Sequence, residues 1–300
     1  MSGRGLSARC PAKVNLALRI LDRRPDGFHE LDTIFQTIDL WDSLEIRPAD
    51  GLRMTCDDPA LPTDGSNLVL KAAELLRERT GSSRGAELHL RKTIPAQAGL
   101  GGGSSDAAAA LLLCARFWGV DCSPGELRAM AAEIGSDVPF FLDGGTARGT
   151  GRGELIEALP ALRPLHLLLG CPPFGTSTAE VYKRASSRLT LPGDGVSLAI
   201  LKAHKWPGDN DFAFMVNDLE PVVFEVRPVL CSFRDALLGA GAQAAMLSGS
   251  GSTVYGVFCG EDEVNAAVTR LNEEYEGWRL LPSRTVAAAA HVVERDDRSK

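Results

Sequence analysis

This sequence lacks the features that would send it to a membrane, an oxidising compartment or a nucleic acid. No apolar run reaches the ~18 residues that a spanning helix needs. The opening Met1 to Cys10 segment is polar and glycine-containing, so neither an anchor nor a secretory leader is expected. The seven cysteines, at positions 10, 56, 114, 122, 171, 231 and 259, form no C-x-x-C pair. An odd, scattered set points to a reducing cytoplasm rather than a disulfide framework. No basic stripe dominates any segment and the formal charge is −7, which excludes a general nucleic-acid binder while leaving room for small anions at local sites. What remains is a soluble globular chain of 300 residues, 44% hydrophobic and 24% charged, long enough for two lobes.

Against that background one stretch stands out, Pro95-Ala-Gln-Ala-Gly-Leu-Gly-Gly-Gly-Ser-Ser-Asp106, running into the apolar segment Ala107 to Trp118. Four glycines in five positions (Gly99, Gly101, Gly102, Gly103) remove the Cβ atoms that keep a ligand from the main chain. Ser104 and Ser105 are cap candidates for a helix whose free amides and positive dipole end would face the loop. The pattern reads as a phosphate cradle. It is not a Walker A loop, because no lysine follows the glycines, and G-x-G-x-x-G fails because Ser104 stands where the last glycine belongs. The competing reading of the glycines alone is a flexible connection ahead of an ordinary core helix.

Around the cradle the pattern alternates strands and helices. From Lys13 to about Leu21 polar and apolar residues alternate as in a half-buried strand, with Lys13 and Asn15 on one face. A charged turn, Asp22 to Gly27, leads to strands over Leu31 to Leu40 and Ser43 to Arg47. Asn67 caps an expected helix from Leu68 to Arg79, and Ala86 to Lys92 is a strand feeding the loop. Ser123-Pro-Gly-Glu126 is a capping box that starts a helix over Pro124 to Ile134. Asp137 then sits on a tight turn ahead of Pro139, and the glycine-rich Gly144 to Gly153 segment marks a lobe boundary. The second half gives a strand at His166 to Gly170, a helix from Thr178, helices over Asn217 to Val226 and Pro228 to Gly239, strands at Ala244 to Ser248 and Thr253 to Phe258, and a helix over Glu261 to Glu274.

A lysine on an early strand, an aspartate on a glycine/proline-bounded turn and a phosphate loop are the parts of a phosphoryl-transfer site. A carboxylate can take the proton of an attacking alcohol, and a lysine can hold that carboxylate ionised while neutralising transferred charge. Each residue alone has a plainer reading: Lys13 as a surface lysine, Asp137 as a turn cap. A second glycine loop, Leu247-Ser-Gly-Ser-Gly-Ser-Thr253, is either a long hairpin loop or a segment closing over phosphates.

Pro11-Ala-Lys-Val-Asn15, Pro95 to Ser105 and Ser248-Gly-Ser-Gly-Ser252 resemble, in order, the three motifs of the GHMP kinases, and the resemblance spans nearly the whole chain. Arg23-Arg-Pro-Asp-Gly-Phe-His-Glu-Leu31, followed by Thr33-Ile-Phe-Gln36, resembles one branch, whose members phosphorylate a cytidine-diphosphate-linked alcohol. The resemblance implies an α+β, two-lobed GHMP kinase fold: an N-terminal lobe (1–153) with a left-handed βαβ crossover and a ferredoxin-like C-terminal lobe (154–300). It implies Lys13 and Asp137 as the catalytic pair. Pro95, Ala96, Gln97, Ala98, Gly99, Leu100, Gly101, Gly102, Gly103, Ser104 and Ser105 would hold the ATP phosphates, with Gly249, Ser250 and Gly251 closing over them. Asn15 would line the substrate site, His29 and Phe28 would recognise cytosine by ring hydrogen bonds and stacking, and Tyr182 would be the opposite stacking face. Phe28 stands where many relatives have tyrosine, and Asp106 where some have asparagine. ATP is expected as its Mg2+ complex, with direct metal ligands left open, and the protein could be a monomer or a homodimer. A GHMP kinase for another small alcohol and a silent nucleotide-binding protein are the alternatives.

Overall fold

The computed structural model describes residues 5–186, 212–287, 289 and 291–294. Two long strands, β1 (Leu6–Arg23) and β2 (His29–Arg47), form an antiparallel hairpin around which a first sheet assembles. Its turn is closed by Gly27 at φ 87°, a conformation that costs glycine nothing. The second and third expected strands are one element. Between Pro11/Ala12 the register slips past Asp39 and Leu40, and the extra residues are taken up as a bulge where Pro11 has no N–H to contribute.

The first sheet continues through β4 (Ala86–Arg91) to β3 (Leu52–Cys56), which lies parallel to β4 and reaches it through helix α1 (Leu68–Thr80). Asn67 caps α1 by accepting from Val69 N, and Gly81 ends it in the left-handed conformation. β3 falls between Arg47 and Asn67, where the sequence predicts no strand. The expected phosphate helix, α2, runs over Gly102–Trp118 and so begins five residues before Ala107. Gly101 is its N-cap, with φ 70° and no side-chain cap, so Ser104 and Ser105 lie inside the first turn instead of capping it. α3 (Pro124–Ile134) keeps its capping box, and a short helix, α4 (Val138–Asp143), follows Asp137. The Gly144 to Gly153 segment holds a strand, β5 (Thr146–Gly151), paired to β2 on one side and to β6 (Leu155–Ala158) on the other. Gly149 is required there, because a Cβ would stand 2.5 Å from the Phe35 ring.

A second, antiparallel sheet is built from β7 (His166–Cys171), β9 (Ala244–Leu247), β10 (Val254–Phe258) and β11 (Arg279–Arg284), in the order β11-β7-β10-β9. Its helices are α5 (Thr178–Ser186), α6 (Glu220–Val226), α7 (Pro228–Gly239) and α8 (Glu261–Leu271). Strand order fourth-first-third-second with helices in both crossovers is the ferredoxin-like arrangement. The expected helix start at Asn217 is instead the end of β8 (Val216–Asn217), which adds to β1 in parallel; Asn217 spends its side chain on Leu247 O, Gly249 O and Leu219 N. The last helix stops at Leu271, three residues early. β12 (His291–Glu294) returns to pair with the start of β1. The 153/154 division falls in the turn between β5 and β6, both in the first sheet.

β1 is buried on both faces from Cys10 to Leu18, unlike the half-buried strand that its alternation predicts. Ala12, Val14 and Leu16 pack with Leu167, Leu169, Tyr255 and Val257 of the second sheet, so the two lobes share a core. Lys13 and Asn15 take the opposite face and are polar because that face is the floor of a cleft. Among the described residues no helix is long and apolar enough to cross a membrane.

Candidate active site

The cleft holds about 1080 Å3 and runs from the glycine loop to the β1–β2 turn and α5. At its middle, Lys13 Nζ donates to Asn15 Oδ1 at 2.6 Å and lies 3.5 Å from Asp137 Oδ2. Asn15 Nδ2 donates in turn to Thr33 Oγ1 at 2.7 Å, and Thr33 to Ala17 O. The Asn15 carbonyl accepts from the buried Tyr255 hydroxyl of the second sheet. Period-two spacing thus puts lysine and asparagine side by side, and the second lobe fixes their backbone. Burial pushes the Lys13 ammonium below its ordinary range, with the Asp137 charge opposing. The Asp137 side chain keeps 34% of its surface exposed, open to the cleft.

Over this pair the two glycine loops meet. Gly99 has φ 75°, and a Cβ there would stand 2.2 Å from the Ser248 carbonyl. Ser248 Oγ donates to Gly99 O, and Thr253 N to Ala98 O. A Cβ on Gly249 would stand 3.3 Å from both Lys13 Nζ and Asn15 Oδ1, and one on Gly101 would press on Phe141 and on Lys13 Cγ. The loops are therefore joined backbone to backbone above the lysine. The first amides of α2, left without intrahelical partners, open beside them.

At the other end His29 lies in the cleft wall. Its Nε2 is 2.6 Å from Ser186 Oγ, and its ring stacks on Tyr182 with centroids 5.3 Å apart. Burial, then the Arg23 charge, lowers its pKa. Phe28 is 50% exposed, with the Arg152 guanidinium 4.9 Å above its ring. A pair of glycine loops at a helix N-terminus, a lysine–carboxylate pair and an aromatic chamber with a histidine thus line one cavity in that order.

The profile of the GHMP kinases N terminal domain matches residues 67–145, and that of the GHMP kinases C terminal domain residues 197–277. A 4-diphosphocytidyl-2-C-methyl-D-erythritol kinase from Pelotomaculum thermopropionicum is 42% identical over 93% of this chain and 98% of its own length. The chain belongs to this kinase family. A second relative of the same name, from Chlorobaculum tepidum, is 40% identical over 91% of this chain and 98% of its own. The solved structure of a 4-(cytidine 5'-diphospho)-2C-methyl-D-erythritol kinase superposes with a TM-score of 0.76 at 33% identity, covering 93% of this chain and 98% of that one. A homoserine kinase from Cytophaga hutchinsonii shares the fold, with a TM-score of 0.75 at 20% identity over 98% of both chains.

Within this GHMP kinase fold nearly every residue singled out from the sequence lines the cleft: Lys13, Asn15, Phe28, His29, Pro95 through Ser104, Asp137, Tyr182, Gly249 and Ser250. Ser105 and Gly251 stand behind the wall. Ser105 is fully buried with no hydrogen-bond partner for its hydroxyl, and Gly251, at φ 81°, turns the second loop against Leu247. Tyr182 covers the ring of His29 itself, while Phe28 carries Arg152.

Sequence reasoning passed over Lys92, Arg152 and Asn67, which also line the cleft. Lys92 ion-pairs with both Asp42 and Asp106, all three nearly out of solvent, while Asp42 also accepts from Thr93 N and Ile94 N. Burial and the nearby Asp42 charge push the Asp106 carboxyl up. A lysine at the strand end three residues before Pro95 was the available signal for this network.

Proposed function

We infer that this protein transfers the γ-phosphoryl group of ATP to the 2-hydroxyl of 4-diphosphocytidyl-2-C-methyl-D-erythritol. The observation that carries the reading is the seat of the Lys13–Asp137 pair, midway along one cleft between a backbone-lined anion cradle and an aromatic chamber. The triphosphate lies against the free amides of α2 and the Gly99 to Ser104 backbone, with Gly249 and Ser250 over it, where dipole and N–H groups favour anions. The cytosine enters the chamber of His29, Tyr182 and Phe28, which brings the methylerythritol hydroxyl to the middle.

There Asp137 accepts the hydroxyl proton as the oxygen attacks the γ-phosphorus. The bond to the β-phosphate oxygen breaks, and ADP leaves with that electron pair. Lys13, held by Asn15 and drawn toward Asp137, neutralises charge on the transferred group and keeps the carboxylate ionised. Tyr255 and Thr33 hold Asn15, so the floor of the site does not reorganise during transfer.

Magnesium bound to ATP neutralises phosphate charge. The residues present suit an ion that arrives with the nucleotide: among the described residues no group of three carboxylates, histidines or cysteines forms a cage, and Ser104 at the head of α2 would offer the ion a hydroxyl. A cytoplasmic setting is supported by seven cysteines that are all free thiols.

The test is ADP release by the purified protein with Mg-ATP and the cytidylylated methylerythritol, beside the same alcohol phosphate without its cytidine. Turnover of the cytidine form alone is expected. Equal turnover of both would favour a kinase for another small alcohol, and turnover of neither would leave a nucleotide-binding protein.

A further inference from the structure

Ser186, the last residue of α5, has no part in the phosphoryl transfer just described, yet it makes a short contact with the chamber histidine. Its Oγ lies 2.6 Å from His29 Nε2 and 2.8 Å from the carbonyl oxygen of Tyr182. A carbonyl oxygen can only accept, and a serine hydroxyl has one proton. If that proton went to His29, two oxygen lone pairs would face each other at 2.8 Å. Both contacts are satisfied together only when Ser186 donates to Tyr182 O and accepts from a protonated His29 Nε2. The neutral imidazole then carries its proton on Nε2 and leaves Nδ1 a bare acceptor. Nδ1 has no partner among the described residues, and His29 lines the cleft. Tyr182, stacked on the same ring, holds its plane, so ring tilt and proton position are both set by one turn of α5.

Resting on the reading of this chamber as a cytosine pocket, we propose that Ser186 is a positioning residue that selects the base by fixing the tautomer of His29. A bare Nδ1 accepts from an exocyclic amine, which cytosine has at its fourth position. Uracil presents a carbonyl oxygen there, and two acceptors would meet. Without Ser186 the ring can place its proton on Nδ1 and donate to that carbonyl, so discrimination is lost even though His29 is still present. Burial and the Arg23 charge, which keep the ring neutral, act in the same direction.

The experiment compares kcat/KM for the cytidine and uridine forms of the substrate in wild type, Ser186→Ala and Ser186→Thr. A preference for cytidine that falls about tenfold in Ser186→Ala, through KM more than kcat, and returns in Ser186→Thr is expected. In parallel, nitrogen NMR of ring-labelled histidine, with His29→Gln identifying the signal among five histidines, reads the tautomer directly. An Nε2-protonated ring in wild type is expected, with mixed tautomers in Ser186→Ala. An unchanged base preference in Ser186→Ala, or an Nδ1-protonated His29 in wild type, overturns the proposal. Wild-type protein that uses both bases equally, or neither, overturns the cytosine reading of the chamber and base selection with it, and the two failures are told apart because the ring signal does not depend on turnover.

Discussion

The two ends of the cleft are made of different material. The glycine-loop end, where the proposed reading puts the phosphates, is main chain: amides, carbonyls and glycines packed so closely that a single methyl group at Gly99 would overlap the Ser248 carbonyl. The opposite end, the proposed base chamber, is side chain: a histidine, two aromatics, an arginine and a serine brought together from the β1–β2 turn, the β5–β6 turn and α5. A backbone site recognises what all nucleotides share, and the effect of a change there depends on how closely backbone approaches that position. A side-chain site recognises what one substrate has, and its substitutions have graded effects. Lys13 and Asp137 lie where the two materials meet.

The sharpest break is at that meeting point. Asp137→Ala is expected to lower kcat about a thousandfold while ATP affinity changes little, checked by turnover and nucleotide titration. A comparable loss of ATP affinity would move Asp137 out of proton transfer. In the proposed transfer the Lys13 ammonium is charged to neutralise phosphate, and burial lowers its pKa, so kcat is expected to fall with rising pH before the ordinary lysine range is reached. A pH profile flat into that range would remove the Lys13 charge from the rate.

Two glycines sharpen the backbone side. Gly99→Ala forces a left-handed residue and a clash with Ser248 O, and is expected to cost roughly 2–4 kcal/mol of stability as well as activity, read by thermal melting. Gly103→Ala meets no protein atom closer than 3.8 Å and sits in the first turn of α2, where alanine favours the helix by about 0.5–1 kcal/mol. It is expected to raise stability slightly yet weaken ATP binding about tenfold, because the new methyl occupies the ligand's space. Unchanged ATP binding in that variant would refute the cradle. On the side-chain end, His29→Ala is expected to raise KM for the cytidine substrate about thirtyfold with kcat nearly kept. Phe28→Ala gives the smallest change, about threefold in the same constant, as one exposed cation–π contact and one stacking face are lost.

The same division explains what was legible in the sequence. Glycines needed for close approach leave a visible gap in composition, so the loop that lines this end of the cleft was legible residue by residue. Lys13 and Asn15 were legible because period two puts them on one face; their partner Asp137 could be placed on a turn but not beside them, since the 121 residues between Asn15 and Asp137 carry no distance information. Ser186 left no trace, being one serine at a helix end whose meaning comes only from a ring 157 positions away. Glycine also misdirected: the Gly144 to Gly153 run reads as a lobe boundary, whereas it holds a strand of the first sheet in which Gly149 makes room for Phe35. β1 alternates like a half-exposed strand because its polar face borders the cleft and its apolar face borders the other lobe.

The return of β12 to β1 also bears on how the molecule is made. Among the described residues, Leu6 to Arg9 obtain their outer strand partners from His291 to Glu294. As the chain leaves the ribosome, β1 therefore waits with one edge open until the segment that ends at Glu294 has been translated. Assembly of the first lobe cannot be finished before the second exists, so the order of synthesis and the order of completion run opposite ways.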